Sequence, residues 1–223
     1  MKTVTKNLLL FFLLLILLSA CGGSGQSGSP SSTLEAVPVV VIGSEGRIYQ
    51  ISQADSTVSF TLSEMLMGQP TTVIGSTNLV SGQIAVNLED LSTLQLGPIQ
   101  IDARGFATDN NMRNRAIHSQ ILETSRHPTI TFTPTLVNGL PDAIEIGQEI
   151  TFTISGDITI REISEPVVFT VTAKAVTADQ ISGTATATVS RADFDLRIPN
   201  VPSVADVSDE VELTIQFVAN SSS

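Results

Sequence analysis

Thr151-Phe152-Thr153-Ile154-Ser155-Gly156-Asp157-Ile158-Thr159-Ile160 is the stretch on which the fold turns. Phe152, Ile154, Ile158 and Ile160 share one parity, while Thr151, Thr153, Ser155, Asp157 and Thr159 hold the other. Successive side chains of an extended backbone point to opposite faces, so this spelling predicts a strand with one apolar face and one hydroxyl-rich face. A helix would gather its apolar residues at spacings of three and four, and this stretch does not.

The same spelling recurs along the chain. Val167, Phe169, Val171 and Ala173 alternate with Thr170, Thr172 and Lys174. Ile181, Gly183, Ala185, Ala187 and Val189 alternate with Ser and Thr, and Val211, Leu213, Ile215 and Phe217 alternate with Glu, Thr and Gln. Shorter runs lie at Val58–Leu62, Ile84–Leu88 and Ile130–Phe132. At Gly97-Pro98 the apolar parity shifts from Leu94 and Leu96 to Ile99 and Ile101, which predicts a bulge or an edge, because proline cannot donate to a ladder. One segment departs from period two. Met112, Ala116, Ile117 and Ile121 have helical spacing, with Asp109 as N-cap and His127-Pro128 beyond the end, so a helix is expected near residues 109–122. The fold class is all-β: short half-buried antiparallel strands, about eight of them, closing a sandwich or a barrel, with one helix.

The N-terminus reads differently. Lys2 and Lys6 precede an unbroken apolar run from Leu8 to Leu18, followed by Ser19-Ala20-Cys21. That run fits the hydrophobic part of a secretory signal and falls short of the roughly 20 residues that span a bilayer. Leu18-Ser19-Ala20-Cys21 resembles the lipobox of bacterial lipoproteins. The resemblance implies cleavage before Cys21, lipidation of its thiolate, and attachment on the extracytoplasmic side of the bacterial cell envelope. An ordinary cleaved signal, or an uncleaved anchor with Cys21 incidental, is the alternative. Gly22 to Thr33 is almost entirely Gly, Ser, Gln and Pro, a flexible tether. The expected organisation is a signal peptide over 1–20, a lipidated cysteine and tether over 21–46, a barrel domain over 47–219, and a disordered tail over 220–223.

The chain of 223 residues carries a formal charge of −11. Loss of Lys2 and Lys6 with the leader would take it to −13. That sign excludes nucleic acid as a partner, since its phosphates need a basic surface. It also excludes docking on anionic lipid through basic patches, so the membrane is expected as a partner only through the N-terminal anchor. Cys21 is the only cysteine, so no disulfide or thiolate metal site is expected in the domain. His118 and His127 are the only imidazoles, no His/Asp/Glu cluster has metal-ligand spacing, and no Gly-x-Ser-x-Gly elbow is present. No catalytic residue, metal or cofactor is expected, and the chain reads as a non-enzyme.

Ile48-Tyr49-Gln50-Ile51 with Ser56-Thr57-Val58-Ser59-Phe60 resembles the opening hairpin of the YceI-like lipid/polyisoprenoid-binding family. Ile101-Asp102, Thr108-Asp109-Asn110, Arg113 and His127-Pro128-Thr129-Ile130-Thr131-Phe132 resemble its strand-to-helix passage and the strand after it. Ser155 to Arg161, Pro166-Val167-Val168-Phe169, Arg191-Ala192-Asp193-Phe194 and Val207-Ser208-Asp209-Glu210-Val211 follow in the family's order. The likeness spans about Arg47 to Val218. Glu162 after Arg161 and Leu196 after Asp195 stand where the family usually has glycine, and Ser63–Asn78 lacks its Gly-x-Phe. These departures bear on the barrel mouth rather than on the fold.

The resemblance implies a lipocalin-like antiparallel barrel, closed near one end by the helix, that holds a long isoprenoid or other apolar lipid. The residues themselves leave two readings open. Gly183, Ala185, Ala187 and Ala173 either leave a channel inside the barrel, or neighbouring phenylalanines fill it. Phe60, Phe132, Phe152, Phe169 and Phe217 are the candidate tail contacts, with Ile117 and Ile121 as the lid. Arg113 reads either as a headgroup ligand at the cavity mouth or as a partner of Asp109 at i, i+4. The expected function is non-catalytic binding, sequestration or transport of an isoprenoid or quinone-like lipid. The alternative is a ligand-free envelope interaction or stress-response module with a packed core.

Overall fold

The computed structural model describes residues 34 and 46–221. Residues 46–221 are almost wholly β: thirteen strand segments join one antiparallel sheet. They are β1 Arg47–Ile51, β2 Thr57–Leu66, β3 Gln69–Thr77, β4 Val80–Ser81, β5 Gln83–Asn87, β6 Asp90–Leu96 and β7 Ile99–Asp102, then β8 Thr129–Asn138, β9 Glu149–Ile160, β10 Ile163–Thr177, β11 Gln180–Ser190, β12 Val204–Ala205 and β13 Glu210–Ser221. Apart from the two-residue β12, which pairs only with β2, the segments resolve into eight passes of the chain, because β1 and β2 form one interrupted pass, β3 to β5 a second, and β6 with β7 a third. Each pass pairs with the next, and β13 returns to pair with β1 and β2, so the sheet curls on itself as the alternation predicts. The apolar parities point inward throughout: Val167, Phe169, Val171, Ala173 and Ala175 are all buried, while Val168, Thr170 and Lys174 are exposed.

Three local expectations are corrected. Ile48–Ile51 and Ser56–Phe60 do not form a hairpin. They lie end to end along one edge of β13, with Ile51 opposite Ala219 and Val58 opposite Ile215. Residues 52–56 interrupt the pairing between them in a turn, and buried Ser56 patches the gap, its Oγ accepting from the Val218 amide at 3.1 Å. The helix is shorter than 109–122. Asn110, extended at φ −128°, is the N-cap in place of Asp109, and its Oδ1 accepts from the Met112 and Arg113 amides at 2.8 and 3.1 Å. Helix α1 then covers Asn111–Ala116 and widens into a π turn over Ile117–Ile121, closed by the Leu122 amide on the Ile117 carbonyl. Finally, β13 runs through Asn220 and Ser221 rather than fraying at 219. Both residues are paired in the sheet, and the Ser221 amide donates to the Asp179 carbonyl at 2.8 Å. The parity shift at Gly97-Pro98 is a break between β6 and β7, held in register by the Gly97 amide on the Gln83 carbonyl at 2.9 Å.

The connections fall at two ends. The helix end carries residues 67–68, the long passage 103–128 with α1, residues 161–162 and residues 191–209. The opposite end carries residues 88–89, residues 178–179 and a ten-residue strap, 139–148. Asp102 starts the helix passage. Its side chain is 1 % exposed, accepts from the Arg104 amide at 3.0 Å, and takes a two-pronged guanidinium contact from Arg104 at 2.8 and 2.6 Å. The Arg104 hydrogen bonds hold the Asp102 carboxyl below the usual aspartate range, against the opposing effect of burial. A carboxylate whose folded pKa is depressed adds stability above its unfolded pKa, near 3.9, and that stability disappears as pH falls through the folded value. Asp102→Asn is therefore expected to lose roughly 1.5–3 kcal/mol at pH 7, with the gap from the parent protein closing below about pH 4. Urea melts across pH 2–7 check this, and a gap that stays constant with pH would refute it.

Candidate functional site

The two halves of the barrel differ inside. At the helix end Phe106, Ile117, Ile130, Ile160, Val167 and Phe194 pack into a buried core. At the strap end the interior holds a cavity of about 120 Å³. Engineered apolar cavities of about 150 Å³ stay dry and admit benzene, so a space of this order receives a slender hydrocarbon. Every lining residue except Lys174 is apolar.

The cavity exists because the barrel fails to close in that half. Ile99 opposite Phe132 is the last pair between β7 and β8. Continuing that register sets Pro98 opposite Thr133 and Gly97 opposite Pro134. Neither proline has an N–H to donate, and β8 also bulges between Pro134 and Leu136, so the ladder stops there. Beyond that point β6 pairs only with β5, and β8 only with β9. Leu94, Leu96 and Ile99 line one side of the resulting cleft, and Pro134, Phe152 and Ile154 the other.

The strap roofs the cleft. It leaves β8 at Gly139 (φ +85°) and rejoins β9 after Gly147 (φ +85°), both in the left-handed region that glycine adopts without strain. Its backbone docks on the β5–β6 turn through the Leu91 amide to the Asp142 carbonyl (2.8 Å) and the Ile144 amide to the Leu88 carbonyl (3.0 Å). Leu140 and Ile144 then face the cavity. Beside it, Tyr49 is fully buried with its hydroxyl donating to the Ala178 carbonyl at 2.8 Å, and burial pushes its pKa up.

Of the aromatic candidates, Phe132, Phe152, Phe169 and Phe217 line the cavity together. Phe132 meets Phe169 edge to face, with centroids 5.0 Å apart. The inward glycines answer the question their smallness raised. A Cβ on Gly156 would fall 2.7 Å from the Phe132 ring, and one on Gly183 2.8 Å from Phe217. The phenylalanines thus fill the space over the glycines, and the cavity is what remains between the rings and the strap. Phe60 is elsewhere: its ring tilts against Phe106, 5.5 Å between centroids, and covers Gly75.

Ile117 and Ile121 pack into the core at the helix end and do not line the cavity. Arg113 is also at the helix end. Its guanidinium donates to Glu64 at 2.8 Å and to Asp109 at 2.5 Å, with side-chain exposures of 17 % for Arg113 and 6 % for Glu64. Glu64 shares the inward parity of Val58 and Phe60, so this pair pins α1 across the barrel mouth. His118 is engaged nearby, with Nε2 2.8 Å from the Phe106 carbonyl. Cys21 lies outside the described residues.

Sequence reasoning missed the strap and Leu91 beyond the β5–β6 turn, although it placed Leu88 at the end of an apolar run. A signal was present: Leu140, Ile144 and Ile146 sit in a connection longer than a hairpin needs, bracketed by two glycines.

A family model described as a YceI-like domain matches residues 49–219. Among solved structures, a polyisoprenoid-binding domain from Saccharophagus degradans, described as implicated in plant cell wall breakdown, superposes with a TM-score of 0.61 at 16 % identity, covering 78 % of this chain and 98 % of that one. BcnA of Burkholderia cenocepacia gives a TM-score of 0.59 at 21 % identity, over 76 % and 99 %. A YCEI protein of Campylobacter jejuni gives 0.53 at 17 %, over 65 % and 82 %. At these identities the structural likeness shows the fold. No match was found among curated protein sequences.

Proposed function

Because this chain belongs to the YceI-like domain family, we propose that its barrel binds an apolar lipid, an isoprenoid or quinone-like chain, and performs no chemistry on it. The observation that carries this reading is the cavity at the strap end: apolar-lined, laterally open, and roofed by a segment hinged on two glycines. Transfer of a hydrocarbon chain there gains about 25 cal/mol per Å² of apolar surface removed from water. That a structural neighbour is described as polyisoprenoid-binding supports the same ligand class.

We propose further that the protein works in the bacterial envelope, held at the membrane by acyl chains on Cys21, where two or more chains give stable anchoring. The sequence of residues 8–21 supports this. Storage, shielding or delivery of lipid beside a bilayer is the role that follows.

Mass spectrometry of an organic extract of the purified protein tests the reading. One polyprenyl or quinone species near stoichiometric amount is expected. No recoverable lipid, together with no rise in melting temperature on adding farnesol, would return the protein to the ligand-free module.

A further inference from the structure

The proposal here rests on the cavity being a lipid site, and concerns which lipid. We propose that it accepts apolar chains ending in an uncharged polar head, such as an alcohol or a quinone carbonyl, and discriminates against the same chain bearing phosphate or diphosphate.

The tail has an apolar slot, so the head is left at the rim. That rim is acidic from every side. Glu89 and Asp90 sit in the β5–β6 turn beside Leu88 and Leu91, Asp142 and Glu145 in the strap beside Leu140 and Ile144, and Glu149 beside Ile150 at the start of β9. All five are exposed, and among the described residues Glu89, Asp142, Glu145 and Glu149 have no ion-pair partner. Among the described residues this end carries two cations. Arg47 is paired with Asp179, and Lys174 lies directly across the ladder from Glu149.

Phosphate recognition uses a guanidinium fork or converging backbone amides at a helix start. The remaining arginines, 104, 113, 115, 126, 161, 191 and 197, all lie at the helix end, away from the cavity. Six of those seven are ion-paired there. A phosphorylated head at the strap end would meet four carboxylates without an ion pair and, among the described residues, Lys174 as the one cation not already ion-paired, so repulsion outweighs attraction there, and like charges juxtaposed in this way suppress the wrong partner. An uncharged head meets no such repulsion.

The test is competition on the purified full chain, using the apolar fluorophore N-phenyl-1-naphthylamine as the displaced probe, with farnesol, farnesyl monophosphate and farnesyl diphosphate as competitors. At low ionic strength the diphosphate is expected to compete at least about tenfold more weakly than the alcohol, with the monophosphate between. High salt shortens the Debye length to roughly 3–4 Å and is expected to narrow the gap severalfold. The rim variant E89Q/D142N/E145Q/E149Q, altered only at exposed positions, is expected to do the same at low salt. Equal or tighter binding of the phosphorylated chains at low salt, or a gap indifferent to both salt and the rim variant, overturns head-group selection alone. Failure of both the fluorophore and farnesol to bind overturns the lipid-site reading and this proposal with it.

Discussion

Replacing Phe132 by alanine is expected to remove about 3–5 kcal/mol of folding stability, the range for deleting a buried aromatic ring. Phe132 is 4 % exposed on β8, at the last pair before the barrel splays open. Its ring lies over Gly156 and against Phe169, so deletion opens space on two sides at once. The backbone cannot collapse into that space, because Phe132 is flanked in the ladder by Ile99 and Ile158. Against a typical total of 5–15 kcal/mol the loss is about a fifth or more. Urea denaturation reads it as a lower midpoint with an unchanged slope. A loss below about 1 kcal/mol would mean that the ring is not packed as described.

Filling the cavity has its largest effect on binding. Ala185 is buried on the inner face of β11, between Val171 and Ile215, and lines the cavity. Ala185→Phe places a ring in a space of about 120 Å³. If the ring excludes about 60–100 Å² of ligand surface, at about 25 cal/mol per Å² the loss is roughly 1.5–2.5 kcal/mol, or about 10- to 70-fold in affinity. The stability cost is expected within the roughly 1–3 kcal/mol of overpacking, because the ring has room. Titration with N-phenyl-1-naphthylamine measures the first quantity and urea melts the second. Thr186→Phe, one residue along on the exposed face, is the control and should bind as the parent does. Unchanged affinity in the Ala185 variant would remove the cavity from the function.

Much of the barrel is written in single strands. The alternation in 151–160, 167–174, 181–190 and 211–217 assigns each side chain to a face without knowledge of its neighbours, because the pleat has period two. The four phenylalanines of the cavity were legible for that reason, and so was the break at Gly97-Pro98. Phe60 carries the same inward parity, yet it belongs to the half at the helix end, since parity assigns a face and not a height along the barrel. The error at Ile48–Phe60 has the same origin. Two apolar runs joined by a short connection read as a hairpin, whereas a 12-residue β13 is long enough to take both along one edge.

Arg113 shows the limit for charges. Its i, i+4 partner Asp109 is local and visible in the sequence, but the buried partner Glu64 is 49 residues away and appears only when α1 is laid across β2. The sequence points to the helix as the lid, since it is the one amphipathic segment among strands. The cavity instead lies at the opposite end, under a strap whose Leu140 and Ile144 have no regular period to betray them.

By itself, then, the sequence determined an all-β antiparallel domain, the inner face of each strand and the aromatic set that furnishes it, since these depend on local stereochemistry and the alternation of burial. Tertiary structure decided which half of the barrel is hollow. That depends on Pro98 and Pro134 falling at successive positions of the same β7–β8 register, opposite Thr133 and Gly97, a coincidence between residues 36 positions apart that no local pattern encodes.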